Sequence, residues 1–403
     1  GGALAALVAA TVSLTILPAL LAVLGPRINA LAPSRLQRAV DATARPATAG
    51  PWYRLAHGVM RRALPVALAI GALLVVAGLP FTRATFVSTD WRMLPAGSET
   101  RQVAETLERD FPAAASQPII VVATASRRAD GQVAAYARRL AELAGGARVS
   151  PPRRLGPATV EIDVLAPGDA LSARSRDLVR AIRDVPAPFA VGVTGDAARF
   201  IDQQAALAAW LPLALGLLAM TTFAILFLMT GSVVLPLKAL LMNLLTLSAT
   251  FGILVLVFQD GRLERLLAYR SPGGLESTQP VLLFVIAFGL ATDYGVFLLS
   301  RIKEARDAGL DDREAVAFGV ERTGRIVTAA ALLFCVAVGA FATSSIVFIK
   351  MVGLGTALAV AIDATIIRAL LVPALMALLG TRNWWAPPPL RRLHARIGLS
   401  EAA

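Results

Sequence analysis

Cysteine, histidine and lysine are nearly absent: one Cys, two His and three Lys occur in 403 residues. Cys335 stands alone inside an apolar run, and His57 and His394 lie far apart in basic segments, so no metal-ligand cluster and no Cys/His dyad can be assembled from the usual donors. Each His reads as an interfacial side chain among basic neighbours. None of Lys238, Lys303 and Lys350 follows a Gly-rich strand-to-helix loop. That excludes a P-loop, and with it direct ATP-driven work by this chain. No cofactor is expected. Charge is also scarce, at 16% of residues, and aromatics reach only 6%. A soluble domain usually carries about 25% charge.

Apolar residues fill that space, at 56% of the chain, with a mean hydropathy of +0.66. Seven runs are long enough to cross a bilayer: Ala3–Leu24, Ala63–Thr82, Ala206–Leu228, Ala239–Phe258, Val281–Leu299, Ile326–Phe348 and Met351–Leu379. Arginines cluster after the first, fifth and seventh runs, with Lys238 after the third, whereas the opposite connections carry only Arg262, Arg265, Arg270 and Lys350. By the positive-inside rule the richer side is cytosolic. The net charge of +12 is thus topological, and no nucleic-acid partner is expected, because the basic residues flank spans rather than forming a soluble face.

Between the second and third runs lie roughly 120 residues of ordinary composition, enough for one compact domain on the extracytoplasmic side. Pro118–Thr124, Thr159–Leu165 and Phe189–Val193 read as strands, with a weaker one near Val149. Gln132–Leu143 and Leu171–Ile182 read as helices, giving an order close to split βαβ. From Asp196 the pattern runs straight into the third span. The chain opens inside an apolar run, and LPALLAVLG (Leu17–Gly25) repeats as VPALMALLG (Val372–Gly380). This predicts that the first run is the last helix of a first half whose other helices lie outside this sequence.

Formal charge inside the runs is confined to Asp293, Asp363 and Arg368. Asp293 sits about twelve residues into its run, roughly 18 Å deep at 1.5 Å per residue. Insertion of a carboxylate there costs about 2.5–3.5 kcal/mol, which marks a functional site with a partner to be found. The neighbouring phenol of Tyr294 strengthens a proton-handling reading. Asp363 lies at matching depth and Arg368 nearer the cytosol. Five residues apart on an α-helix, these two are separated by about 140° and are expected to seek partners on other helices, Asn243 among them. Asp312–Thr323, with Asp312 as N-cap and Ala315, Val316, Gly319 and Val320 on one stripe, is predicted to lie on the cytosolic surface. Trp384 and Trp385 read as an interfacial anchor.

The strings ATDYGVFLLSRIKEARDAG (Ala291–Gly309), AVAFGVERTGRIVTAAALLF (Ala315–Phe334), IDATIIRALLVPALMALLG (Ile362–Gly380) and GSVVLPLKALLMNLL (Gly231–Leu245) resemble the second half of the MMPL family. This is the mycobacterial-type lipid and drug exporter branch of the resistance-nodulation-division superfamily. The resemblance covers nearly the whole chain, with TDYG (Thr292–Gly295) its most specific string. It implies a membrane α-helical fold of about seven transmembrane helices with one extracytoplasmic α+β porter-like domain. Residues 1–25 are then the last helix of a missing N-terminal half and 26–62 a basic cytosolic linker. Residues 63–82 form a span, 83–205 the outer domain, 206–379 a five-helix bundle with an amphipathic cytosolic segment at 301–325, and 380–403 a cytosolic tail.

The resemblance further implies a multi-pass protein of the bacterial cytoplasmic membrane that exchanges protons for a lipid or amphiphilic substrate. Asp293 and Tyr294 match the family's tenth-helix proton-relay pair, whose complementary Asp-Tyr pair would lie in the missing half. Membrane lipids and that half are the expected partners. A protein-translocation auxiliary of the same superfamily and a non-transporting membrane sensor or scaffold are the alternatives.

Overall fold

A computed structural model describes residues 2–25, 27, 50–95, 97–110, 117–143, 145, 147–166 and 171–398. Most of the predicted linker, residues 28–49, and the end of the tail lie outside the described residues. The chain is mostly helical, and seven helices are long and apolar enough to cross a membrane. In chain order the elements are α1 (Gly2–Leu24), α2 (Pro51–Arg61), α3 (Ala63–Gly78), β1 (Phe86–Val87), α4 (Glu99–Asp110), β2 (Ile119–Thr124), α5 (Asp130–Leu143), β3 (Arg148–Val149), β4 (Arg153–Arg154) and β5 (Thr159–Leu165). There follow α6 (Ala173–Arg183), β6 (Ala190–Thr194), α7 (Asp196–Thr230), α8 (Val234–Leu254), β7 (Leu275–Glu276), α9 (Gln279–Asp307), α10 (Asp312–Gly339), α11 (Val347–Ala361), α12 (Val372–Leu379) and α13 (Pro388–Ile397). Two π-helical segments, Val255–Gln259 and Ile362–Leu371, continue α8 and join α11 to α12.

The α/β unit carries an antiparallel sheet in the order β3-β5-β2-β6, with β4 also pairing β5. Alternation sets its core. Ile119, Val121 and Ala123 of β2 and Val160, Ile162 and Val164 of β5 point to one face, where α5 and α6 bring Tyr136, Leu140, Val179 and Ile182. Tyr136 is fully buried, its ring edge-on to Phe189 at 5.6 Å, and among the described residues its hydroxyl has no hydrogen-bond partner. Burial pushes its phenol pKa up, opposed by the nearby Arg139 guanidinium. An unsatisfied buried hydroxyl costs about 1–3 kcal/mol. Replacing Tyr136 with Phe should therefore raise the stability of this unit by about 1 kcal/mol, read as a shift in its chemical denaturation midpoint; a loss of that size would show that the hydroxyl has a partner.

α7 joins this unit to the membrane helices without a break. Its 35 residues extend about 52 Å. Ala197, Ala198 and Phe200 are buried at its outer end, with Arg183 of α6 paired to its Asp202 at 2.6 Å. Gly195 precedes it at φ +110°, where a Cβ would stand 2.6 Å from the Pro118 carbonyl oxygen, so both the backbone conformation and the space require glycine. A second link is β1, which pairs in parallel with β7 (Phe86 with Leu275, Val87 with Glu276) and so ties the exit of α3 to the entry of α9.

Within the bundle α3 and α8 approach through small residues. A Cβ on Gly252 would lie 2.0 Å from the Ala77 carbonyl oxygen, and one on Gly78 would lie 2.2 Å from the Ser248 hydroxyl. Ser248 and Gly252, four apart, form the small-residue spacing that lets membrane helices pack backbone to backbone. Because the obstacle is backbone, Gly252→Ala must push the helices apart. A loss of about 1–3 kcal/mol is expected for such overpacking, seen as a lower midpoint of thermal unfolding in detergent.

Three local expectations are corrected. The N-cap of α10 is Asp311, whose carboxylate accepts the Arg313 amide at 3.3 Å, while Asp312 pairs with Arg306 at 3.0 Å. Segment 312–323 is the start of a continuous helix, and Ala315, Val316, Gly319 and Val320 are buried against the rest of the chain rather than presented at the surface. A Cβ on Gly319 would lie 3.2 Å from the Ile302 nitrogen, and one on Gly324 would lie 2.8 Å from the Trp52 ring, so α9 and α2 cover this stripe. Lys238 and Lys350, expected on short connections, sit inside α8 and α11 and are buried; Lys350 donates to the Leu267 carbonyl.

α1 is exposed along its length against the described chain. His57 packs edge-on to Tyr53 and lies 3.2 Å from Glu314, and His394 bonds the Leu228 carbonyl oxygen at 3.1 Å. Trp384 stacks on the Arg306 guanidinium at 4.6 Å, while Trp385 is exposed.

Candidate functional site

The helix that carries Asp293 is anchored at its start by a carboxylate. Glu276, itself buried, accepts the Thr278 and Gln279 amides at 2.9 and 3.0 Å, and Pro280 occupies the first turn. An acceptor there satisfies donors that the helix cannot and opposes the positive end of its dipole. Along α9, Leu283, Ala287, Ala291 and Leu298 are buried, whereas Leu282, Val285, Gly289 and Asp293 form an exposed stripe at spacings of three and four. The sequence pattern places Asp293 at mid-span. The structure adds that its face is uncovered. Among the described residues its side chain makes no hydrogen bond or ion pair.

Tyr294, one position on, turns the other way. It packs among Leu290, Phe297, Val327, Ala331 and Val360, and the Arg368 guanidinium lies 5.5 Å from its ring centroid. The same guanidinium donates from Nη2 to the Ala291 carbonyl oxygen and from Nε to Asp363 Oδ2 at 2.7 Å. Asp363 and Arg368 are both buried, at 5% and 7% exposure, and neutralise each other where an isolated charge would be prohibitive.

This pairing overturns the expectation that the two could not meet on one helix. Residues 362–371 are π-helical, not α-helical. With i→i+5 hydrogen bonding, residues five apart stack on nearly one face, so the spacing that separates them on an α-helix brings them together here. Asn243 is not their partner. It is buried on α8 and lines the same cavity as the pair, but the ion pair closes without it.

That cavity is small, about 40 Å³, enough for a few water molecules. Its walls come from α7, α8, α9 and the π segment, and its polar residues include Lys238, Asn243, Thr292, Asp363 and Arg368. The sequence reading singled out three of these five. Lys238 is expected only as a topological charge beside a span, and Thr292 only as part of the TDYG string. The signal for Lys238 was its position inside the apolar string LPLKALLMNLL; for Thr292 there was none beyond adjacency to Asp293. Among the described residues no group of three His, Cys, Asp or Glu side chains converges to hold a metal ion.

The geometry therefore joins a buried Asp-Arg pair to the helix of a mid-span Asp-Tyr pair, next to a mostly apolar cavity. The sequence model of the MMPL family matches residues 156–397, more than half of the chain. The chain belongs to the MMPL family. Several curated proteins are similar to this MMPL chain over nearly its whole length. A Streptomyces coelicolor protein, named only as a membrane protein, is 43% identical over 394 residues, which cover 97% of this chain and 53% of that protein. The trehalose monomycolate exporter MmpL3 of Mycobacterium tuberculosis is 34% identical over 440 residues, covering 98% of this chain and 46% of that protein. The heme uptake protein MmpL11 of the same organism is 33% identical over 402 residues, covering 96% and 41%. The chain spans about half the length of the curated relatives it matches.

Proposed function

We propose that this MMPL chain works as the C-terminal half of an exporter of lipids or amphiphilic compounds in the bacterial cytoplasmic membrane, driven by the proton-motive force. In this reading its α/β unit, split βαβ in strand order, is an extracytoplasmic porter-like domain, and α7 carries movement between that domain and the bundle. Asp293 takes up and releases the proton. Tyr294 lies between it and the Asp363–Arg368 pair, which fixes the charge balance on the inner side of α9.

The observation that carries the reading is the exposed stripe of α9. A carboxylate facing lipid at mid-span costs about 2.5–3.5 kcal/mol, and Asp293 has no cover among the described residues. A second protein surface bearing its own polar groups would remove that cost, which fits a partner half with a complementary Asp-Tyr pair. The fully exposed α1 belongs to the same uncovered surface in this reading. Relatives named for trehalose monomycolate export and for heme uptake stand at similar identity. The substrate is accordingly proposed by class alone.

The test is Asp293→Asn in the complete protein, reconstituted in vesicles with an imposed proton gradient. Loss of gradient-driven substrate movement is expected; unchanged movement removes the carboxylate from the mechanism.

A further inference from the structure

The last described helix carries charge that the other described residues leave unmatched. α13 (Pro388–Ile397) contains Arg391, Arg392 and Arg396, and no Asp or Glu occurs from residue 380 to its end. All three arginines are exposed, as is Arg382 before them, and none makes an ion pair among the described residues. At about 100° per residue, Leu390, Leu393 and Ile397 fall on one stripe, and Arg392 and Arg396, four apart, run beside it. Leu393 and Ile397 are 43% and 54% exposed. This is the pattern of a helix lying in a membrane surface, its arginines among headgroups and its aliphatic side chains toward the acyl layer.

The contacts that hold α13 set its depth. His394 donates from Nε2 to the Leu228 carbonyl oxygen at 3.1 Å and stands edge-on to Phe227 at 5.9 Å. Leu228 lies in the last turn of α7, where a helix leaves carbonyls unpaired. Ahead of α13, the Ser232 hydroxyl donates to the Asn383 carbonyl oxygen and the Val233 amide to that of Trp385 at 3.1 Å, both from the turn between α7 and α8. One span ends and the next begins beside α13, so the helix is held where a bilayer core gives way to water. Trp385, 58% exposed, marks the same level, since indole rings favour the headgroup region. A protein partner would have to bring its own acidic side chains to this depth, whereas a leaflet supplies negative headgroups and an apolar layer there together.

We propose that α13 lies in the plane of the leaflet that α7 and α8 reach together and binds its anionic headgroups. Arg392 and Arg396 hold phosphates, Arg391 adds to the attraction, and Leu393 and Ile397 enter the layer beneath. Negative headgroups draw basic segments to a surface and lose that hold when salt screens them. Through His394, that end of α7 is tied to the charge of the leaflet. The lipid here is the surrounding bilayer and not cargo, and the assignment does not rest on proton-driven export.

The experiment is hydrogen exchange, read by mass spectrometry, on the full chain in nanodiscs of phosphatidylcholine alone or mixed with phosphatidylglycerol. Amides of residues 391–397 should exchange about tenfold more slowly in the anionic discs, while those of α8 and α11 exchange alike in both. The difference should vanish at about 1 M salt, where the screening length falls to about 3 Å. It should vanish as well in a variant with Arg391, Arg392 and Arg396 all changed to Gln. Equal exchange of wild type in the two discs overturns the assignment, as does full protection in the glutamine variant. Protection in phosphatidylcholine discs on adding glycerol phosphate shows a soluble-anion site and overturns the leaflet as partner. Protection that rises with protein concentration in detergent shows a second copy on this face and overturns it too. The salt arm needs no variant and decides the matter if the glutamine variant does not fold: protection that survives salt overturns the assignment.

Discussion

Replacing Arg368 with Met should destabilise the bundle by about 3–5 kcal/mol, because it leaves the Asp363 carboxylate buried without its cation. Asp363→Leu should cost a similar amount for the mirror-image reason, leaving the Arg368 guanidinium buried without its anion. The informative variant is the double one. A buried ion pair exchanged for apolar residues of similar volume is often neutral in stability, so Asp363→Leu with Arg368→Met should recover most of what either single change loses. Unfolding of the purified protein in detergent reads this directly, and the interaction energy comes from the double-mutant cycle. A loss in the double variant equal to the sum of the two single losses would mean that the residues pack independently and that their charges are not coupled. Recovery of stability without recovery of transport would assign the pair to charge balance beside Tyr294 rather than to holding the fold. Arg368 is the more revealing partner of the two, since it also reaches the Ala291 carbonyl and the Tyr294 ring and so connects the π segment to α9.

That pair also shows where sequence reasoning reached its limit. The seven spans were legible because length and composition alone decide them: the run Ala63–Thr82 corresponds to α3 with its closing 3₁₀ turn Leu79–Arg83, and Asp196 does begin a helix that runs unbroken to Thr230. Strands β2 and β5 were legible because alternating burial leaves a period of two. The relation between Asp363 and Arg368 is hidden in the sequence because an α-helix, at 100° per residue, would set them apart. A π segment changes that angle without changing composition, so nothing in IDATIIRALL announces it. The burial of Lys238 is hidden for a different reason. A lysine near the end of an apolar run looks like a topological charge, and only the tertiary contact with Asn383, 145 positions away, shows that it is buried. The β1–β7 pairing and the docking of α2 on α10 are likewise contacts between distant segments, which local pattern cannot supply. Asp293 was found by its type and depth. Its orientation, away from the packed side of α9, required the neighbours.

Orientation is what makes Asp293→Asn a sharp test. Asn preserves size and polarity but cannot gain or lose a charge, and Asp293 makes no hydrogen bond or ion pair among the described residues. Stability should therefore stay within about 0.5 kcal/mol, as for a substitution that breaks no contact, while gradient-driven transport by the complete protein falls to the level of protein-free vesicles. Asp293→Glu, which keeps a titratable group one methylene further out, should retain part of the activity. This pattern is opposite to that of Arg368→Met, in which stability is lost first. A third pattern is diagnostic as well. If Asp293 stood bare and charged against lipid, removing the charge would relieve an insertion cost of about 2.5–3.5 kcal/mol, and Asp293→Asn would be markedly more stable with transport intact. Measured together, unfolding and transport separate a proton carrier set between two protein surfaces from a tolerated surface charge, and the second result would leave the exposed stripe of α9 without a role in coupling.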